Sequence, residues 1–204
     1  MIINRSSSAR LLLAVVAGVS LPAAVPAQTW QTTASVGQFT YDAGGDQGYD
    51  MLRVEVARRW LDRVWVSAAF ATSEIGPRNL GFIQPGLQSG DETVRRLQVT
   101  GRWRLGGLLG TSTVERPARV EPWLGASASV IWSQGRLIIT EQVSDFKPPE
   151  DDTTIGPGFG LSAGLDARVA GPLVLTGGLS IWQDFMLGTS LTDYETWVGL
   201  GAHW

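Results

Sequence analysis

The chain has no cysteine and a single histidine, His203. Without cysteine there is no disulfide framework and no thiolate metal site. One imidazole also excludes a metal or catalytic cluster of several histidines. Charged residues make up only 17% of the chain, and the net charge is −3. A nucleic-acid binder needs a basic stripe, so that class is excluded. Beyond residue 27 no stretch approaches the ~20 apolar residues that a spanning helix requires.

What is present begins with a distinct amino-terminal segment. Arg5 and Arg10 form a basic start, Leu11 to Val19 an apolar run, and Val25-Pro26-Ala27 a small-residue end. That order is the layout of a secretory signal peptide cut after Ala27. We expect residues 1–27 to be the signal and 28–204 the mature domain. The cut removes two arginines and no acid, so the net charge goes from −3 to −5 (−3 − 2). The chain also holds nine tryptophans and 25 glycines. Glycine at that level suits strands and turns better than helices.

Period-two alternation, the mark of a half-buried strand, recurs eight times. The segments are about 30–41, 49–60, 64–73, 96–105, 122–133, 158–169, 173–183 and 194–204. The fourth is the clearest: Leu97, Val99, Gly101, Trp103 and Leu105 alternate with Arg96, Gln98, Thr100, Arg102 and Arg104. Leu61-Asp62-Arg63 and Ala170-Gly171-Pro172 read as tight turns. Residues 42–48, 74–93, 134–156 and 184–193 read as polar loops, and 106–121 as a long connection on the turn side. Short turns on one side and longer loops on the other fit an outer-membrane barrel.

Lipid offers no partner to backbone N–H and C=O groups, so only helices and closed barrels cross it. With helices absent, the expected fold is all-β: an eight-stranded antiparallel up-and-down transmembrane barrel. Its apolar faces point to lipid. Trp30, Trp60, Trp103 and Trp204 fall on those faces at the turn-side ends, and Trp132 near the loop side. Such aromatic girdles mark the two membrane interfaces. The opposite face is mostly Gly, Ser and Thr with scattered charge, which would fill a narrow lumen. Its expected charge network is Arg53, Glu55, Arg59, Arg96, Arg102, Arg104, Asp166 and Arg168, with Asp184 and Glu195 also inward.

The carboxyl end runs Trp197-Val198-Gly199-Leu200-Gly201-Ala202-His203-Trp204. It resembles the terminal-strand signal read by the barrel assembly machinery, with Trp197, Gly199, Leu200, Ala202 and Trp204 as its residues. The whole mature chain resembles the small eight-stranded OmpA-like and OmpX-like barrels. That resemblance implies a bacterial outer-membrane location, lipid and lipopolysaccharide as surroundings, and a monomer. Ala202 stands where those barrels often carry a larger residue.

Few residues suggest chemistry. His203 is followed only by Trp204, so the His-x-Ser pattern of membrane lipid A deacylases is absent. It would lie at the periplasmic rim, far from the outer surface where palmitoyl-transferring barrels keep theirs. We expect it to be a solvated rim residue, and the protein not to be an enzyme. The acids at Asp42, Asp46 and Asp50, and at Glu150 to Asp152, lack the spacing of a calcium loop. No cofactor is expected. Arg136 to Thr140 would extend a hairpin above the membrane and offer a strand edge to a partner. The expected role is structural or surface-interacting, through residues 74–93 and 134–156. The rivals are a narrow pore, a lipid-modifying enzyme and a soluble barrel with an internal ligand.

Overall fold

The computed structural model describes residues 29–41, 48–75, 78–79, 87–106, 120–139, 152–186 and 189–204. The signal peptide reading therefore lies outside the described residues. Eight long strands form the wall: β1 (Trp30–Tyr41), β2 (Tyr49–Arg59), β3 (Val64–Ile75), β4 (Leu87–Arg104), β5 (Val120–Ile139), β6 (Asp152–Ala170), β7 (Leu173–Met186) and β8 (Thr189–His203). Each pairs antiparallel with its chain neighbours, and β1 pairs with β8 to close the ring. A two-residue strand, Arg78–Asn79, pairs with the outer end of β4. No helix among the described residues is long and apolar enough to cross a membrane.

Closure fixes the tilt of the strands. From Val54 the pairing runs through Ala34, Leu200 and Leu175 to Ala167 on the far strand. In the other direction it runs through Phe70, Leu97 and Val130 to Pro157. The ring therefore closes with a stagger of ten residues (167 − 157). For eight strands ~4.8 Å apart rising ~3.3 Å per residue, that stagger inclines each strand by ~40°.

One end is tied by short connections. Trp60 and Val64 close the β2–β3 turn with hydrogen bonds of 2.9 to 3.2 Å that also involve Leu61. Gly171 turns β6 into β7 at φ 52°, a left-handed conformation that glycine adopts without Cβ strain. The two chain ends meet there: the Trp30 N–H donates to the Trp204 carbonyl at 2.8 Å, and Trp204 returns the bond at 2.9 Å.

At the other end the strands run further than the alternation predicts. β4 begins at Leu87, β5 continues to Ile139 and β6 begins at Asp152. Residues 87–93, 134–139 and 152–156, expected as loop, are paired strand. So are 184–186 and 189–193, where Asp184 faces Leu191 and Met186 faces Thr189. Backbone pairing does not depend on an apolar face, so the strands persist where the alternation fades; on β6 and β7 Ile155 and Phe185 still point outward, and Asp184 and Asp193 are buried in the lumen. The expected extension at Arg136 is present through Ile139, which pairs with Leu87. Thr140 lies outside the described residues.

The apolar and polar faces separate cleanly. Leu97, Val99, Leu124, Val130, Phe159, Leu161, Leu179 and Val198 are exposed on the outside. The fully buried side chains include Arg96, Gln98, Asp184, Asp193 and Glu195. A soluble barrel has the reverse arrangement. An apolar exterior around a charged core suits lipid, where the backbone of a closed ring has no unpaired edge.

Candidate functional site

Among the described residues, the lumen holds the buried charge. Arg96, on β4, reaches Asp184 of β7 and Glu195 of β8, and its Nη2 lies 3.0 Å from Asp193. Arg53 on β2 pairs with Glu55 at 2.6 Å and stands 3.7 Å from Glu195. Arg102 takes the other oxygen of Glu55. These contacts form one ion-pair chain, Arg96–Glu195–Arg53–Glu55–Arg102, along the inside of the barrel. Turned with its oxygen toward Arg53, the Gln98 amide accepts from that guanidinium at 3.0 and 2.8 Å.

A second cluster sits nearer the turns. Arg104 pairs with Glu121 and lies 3.1 Å from Asp166. It also donates to Gln31 Oε1 at 2.9 Å, while Thr176 Oγ1 donates to Asp166 at 2.7 Å. Buried charges persist only when paired and hydrogen-bonded, and here the narrow lumen makes this possible by letting inward side chains meet across it: Arg96 on β4 reaches β7 and β8, and Arg102 on β4 reaches β2.

Tryptophan fills the space between the charges. Trp123, Trp182 and Trp197 each face a glycine across the strand pair: Gly164, Gly160 and Gly178. A Cβ on Gly160 would come within 2.6 Å of the Trp182 ring, and one on Gly178 within 2.7 Å of the Trp197 ring. Each ring also carries an arginine: Arg102 stands 4.2 Å from the Trp123 centroid, Arg96 4.3 Å from Trp182, and Arg53 4.4 Å from Trp197. Arg104 lies 4.0 Å from the Trp65 centroid. The repeating unit is glycine, indole and guanidinium. A desolvated cation–π contact is worth about 2 kcal/mol.

A void between Phe39, Met51, Val94, Arg96 and Glu195 measures about 10 Å³, room for one water at most. Among the described residues no group of acids or histidines is arranged to hold a metal ion.

Of the residues expected in the charge network, Arg53, Glu55, Arg96, Arg102, Arg104 and Asp166 come together in these pairs. Arg59 and Arg168 are only half-buried and enter none of them. Two partners come from segments read as connections: Glu121 from residues 106–121, and Asp193 from 184–193. Both fall on the inward parity of their strands, the signal that would have found them.

The expected girdle residues lie on the outside. Trp60 and Trp103 are exposed, Trp30 stacks on Trp204 with centroids 5.7 Å apart, and Trp132 packs beside Phe70 at 6.1 Å. The terminal-strand residues divide between faces. Leu200 points outward and Ala202 and Trp204 share its parity, whereas Trp197 and Gly199 point into the lumen. His203 departs from expectation. Its ring is 3% exposed, packs on Trp65 at 5.6 Å, and has no hydrogen-bond partner at either nitrogen. It falls on the inward parity, which carries it under the wall and away from solvent.

No family model matches the chain, and no curated protein matches its sequence. Its fold is similar to solved outer-membrane barrels. Neisserial surface protein A superposes with a TM-score of 0.59 at 13% identity, covering 86% of this chain and 96% of that one. Ail, the attachment invasion locus protein of Yersinia pestis, gives 0.52 at 11% identity over 86% and 97%. OprG of Pseudomonas aeruginosa gives 0.51 at 12% identity over 87% and 96%. The eight-stranded transmembrane barrel is thus the fold of this chain.

Proposed function

We propose that the protein is a sealed barrel of the bacterial outer membrane that holds a surface structure above it. The observation that carries this reading is the extension of β4 and β5. β4 continues from Leu97 to Leu87 and β5 from Trp132 to Ile139, past the outward apolar residues. These paired ends make a rigid blade whose upper edges lie outside lipid. Beyond Gly135 the β6 side of β5 pairs with no described residue, and a strand edge of this kind accepts an extended partner strand. Ail, a barrel of similar fold, is named for attachment and invasion, which supports a surface role without naming a partner. The signal peptide, the assembly machinery and lipopolysaccharide belong to the same reading, as does a monomeric barrel.

The filled lumen argues for a pedestal and against the pore alternative. Eight strands leave a bore that side chains can close, and here guanidinium and indole groups occupy it. The lipid-enzyme alternative has no support at His203, whose ring hydrogen-bonds to no serine or acid among the described residues.

Two experiments test the proposal. Purified protein in a planar bilayer should give no unitary conductance steps; steady steps would make the pore the correct reading. Cells displaying the full barrel should attach to a protein-coated surface more than cells whose residues 76–91 and 136–151 are replaced by short turns. Equal attachment by two heat-modifiable barrels would overturn the surface role.

A further inference from the structure

The outer wall differs in height around the ring. On β6 every outward residue from Ile155 to Val169 is apolar, and Ile155, Phe159, Leu161, Leu165 and Val169 are all more than half exposed. β2 lies diametrically across the ring. Its outward apolar set is only Leu52, Val54 and Val56, with exposed Asp50 above and exposed Arg58 below.

The two bands share one level. Pairing from Val54 reaches Ala167 one way and Pro157 the other, so the position level with Val54 on β6 is residue 162. Residue 162 is the midpoint of 155 and 169, and Val54 is the midpoint of 50 and 58. The difference is therefore one of length, with both bands centred on the same plane.

At ~3.3 Å per residue the β6 band is ~46 Å long and the β2 band, counted from charge to charge, ~26 Å. With strands inclined at ~40°, those lengths stand ~35 Å and ~20 Å high. A barrel belt is ~25 Å tall. No upright barrel matches both walls.

We infer that the barrel lies tilted in the bilayer by ~20°, rotated about the diameter that joins β2 to β6. Strands on opposite walls lean opposite ways when viewed along that diameter. One rotation therefore makes β6 more oblique, at ~60°, and β2 more upright, at ~20°. The two bands then stand ~23 Å and ~25 Å high, both close to the belt height. Acyl chains cover the whole β6 wall, including Ile155. Asp50 and Arg58 reach the two headgroup levels, where Arg58 stands 5.1 Å from the ring of Trp30.

The absence of cysteine allows single nitroxide labels to be placed at I155C, V169C, D50C and R58C. Depth would be read in phosphatidylcholine vesicles with fourteen-carbon chains, from collision with oxygen and with a water-soluble nickel chelate. The tilted barrel places the 155 and 169 labels inside the hydrocarbon, ~23 Å apart in depth, and the 50 and 58 labels at the headgroups. A 155 label in water overturns the tilt. Dipolar broadening at 155 that disappears on dilution with unlabelled protein also overturns it, by placing a second copy on the β6 wall. Heat modifiability of each labelled protein checks the fold. If I155C fails that check, F159C and L165C read the same inclination: a depth difference of ~10 Å in the tilted barrel and ~15 Å in an upright one.

Discussion

The two halves of the lumen solve the same problem with different redundancy. Toward the loops, Arg96 alone touches Asp184, Asp193 and Glu195, with Arg53 3.7 Å from Glu195. Toward the turns, Glu55 is shared by Arg53 and Arg102, and Arg104 serves Glu121 and Asp166 with further hydrogen bonds from Arg104 to Gln31 and from Thr176 to Asp166. The first is a hub and the second a mesh. Arg96 also covers Trp182, so charge and packing depend on one side chain there. Losing the hub should therefore cost more than losing any one member of the mesh.

The largest expected effect comes from Arg96→Ala. It leaves three acids buried without their shared cation, and breaking a buried pair typically costs about 3–5 kcal/mol. Urea unfolding in detergent micelles should show that loss. Adding D184N and D193N to the same chain should recover much of it, because the uncompensated charge is then gone. If the triple variant is no better than R96A, packing against Trp182 and not charge is what Arg96 contributes.

Gly160→Val sharpens the packing side of the comparison. Its Cβ would stand 2.6 Å from the Trp182 ring, and overpacking of this kind costs about 1–3 kcal/mol. Gly177→Ala is the control: its Cβ would meet only the Trp197 carbonyl, at 3.3 Å. A similar loss in both variants would mean that glycine is needed for the strand and not for the ring.

Arg104→Ala should cost less than Arg96→Ala, about 1–2 kcal/mol, since its side chain and that of Glu121 are slightly exposed near the rim. Equal loss in the two variants would erase the distinction between hub and mesh. The smallest effect is expected from His203→Phe. The ring packs on Trp65 and its nitrogens are unpartnered, so an apolar ring should be neutral to mildly stabilising in the same unfolding assay. A clear loss would reveal a hydrogen bond that the buried imidazole depends on.

The wall was more legible in the sequence than its contents. Leu97 to Leu105 alternates so strictly that strand, face and lipid exposure follow from parity alone. Glu121 and Asp193 were read as connections because charged residues dominate exposed connections, whereas Asp184 was already placed inward. In a membrane barrel the inward face is where charge accumulates, so the usual cue inverts. The lumen tryptophans were hidden for a related reason. Trp123, Trp182 and Trp197 share parity with Gly and Ser, and nothing local shows that the facing glycine makes room for a ring. That information lies in register between strands, as does the stagger that makes the β2 and β6 bands level.

The central claim is that this chain closes around a charged core with its apolar face in lipid. Electrophoretic heat modifiability of protein extracted in mild detergent from the outer-membrane fraction tests it most directly. A closed barrel should withstand SDS without boiling and migrate apart from its boiled form. Recovery from the soluble periplasmic fraction, with one mobility before and after boiling, would mean the faces are reversed and the account is wrong.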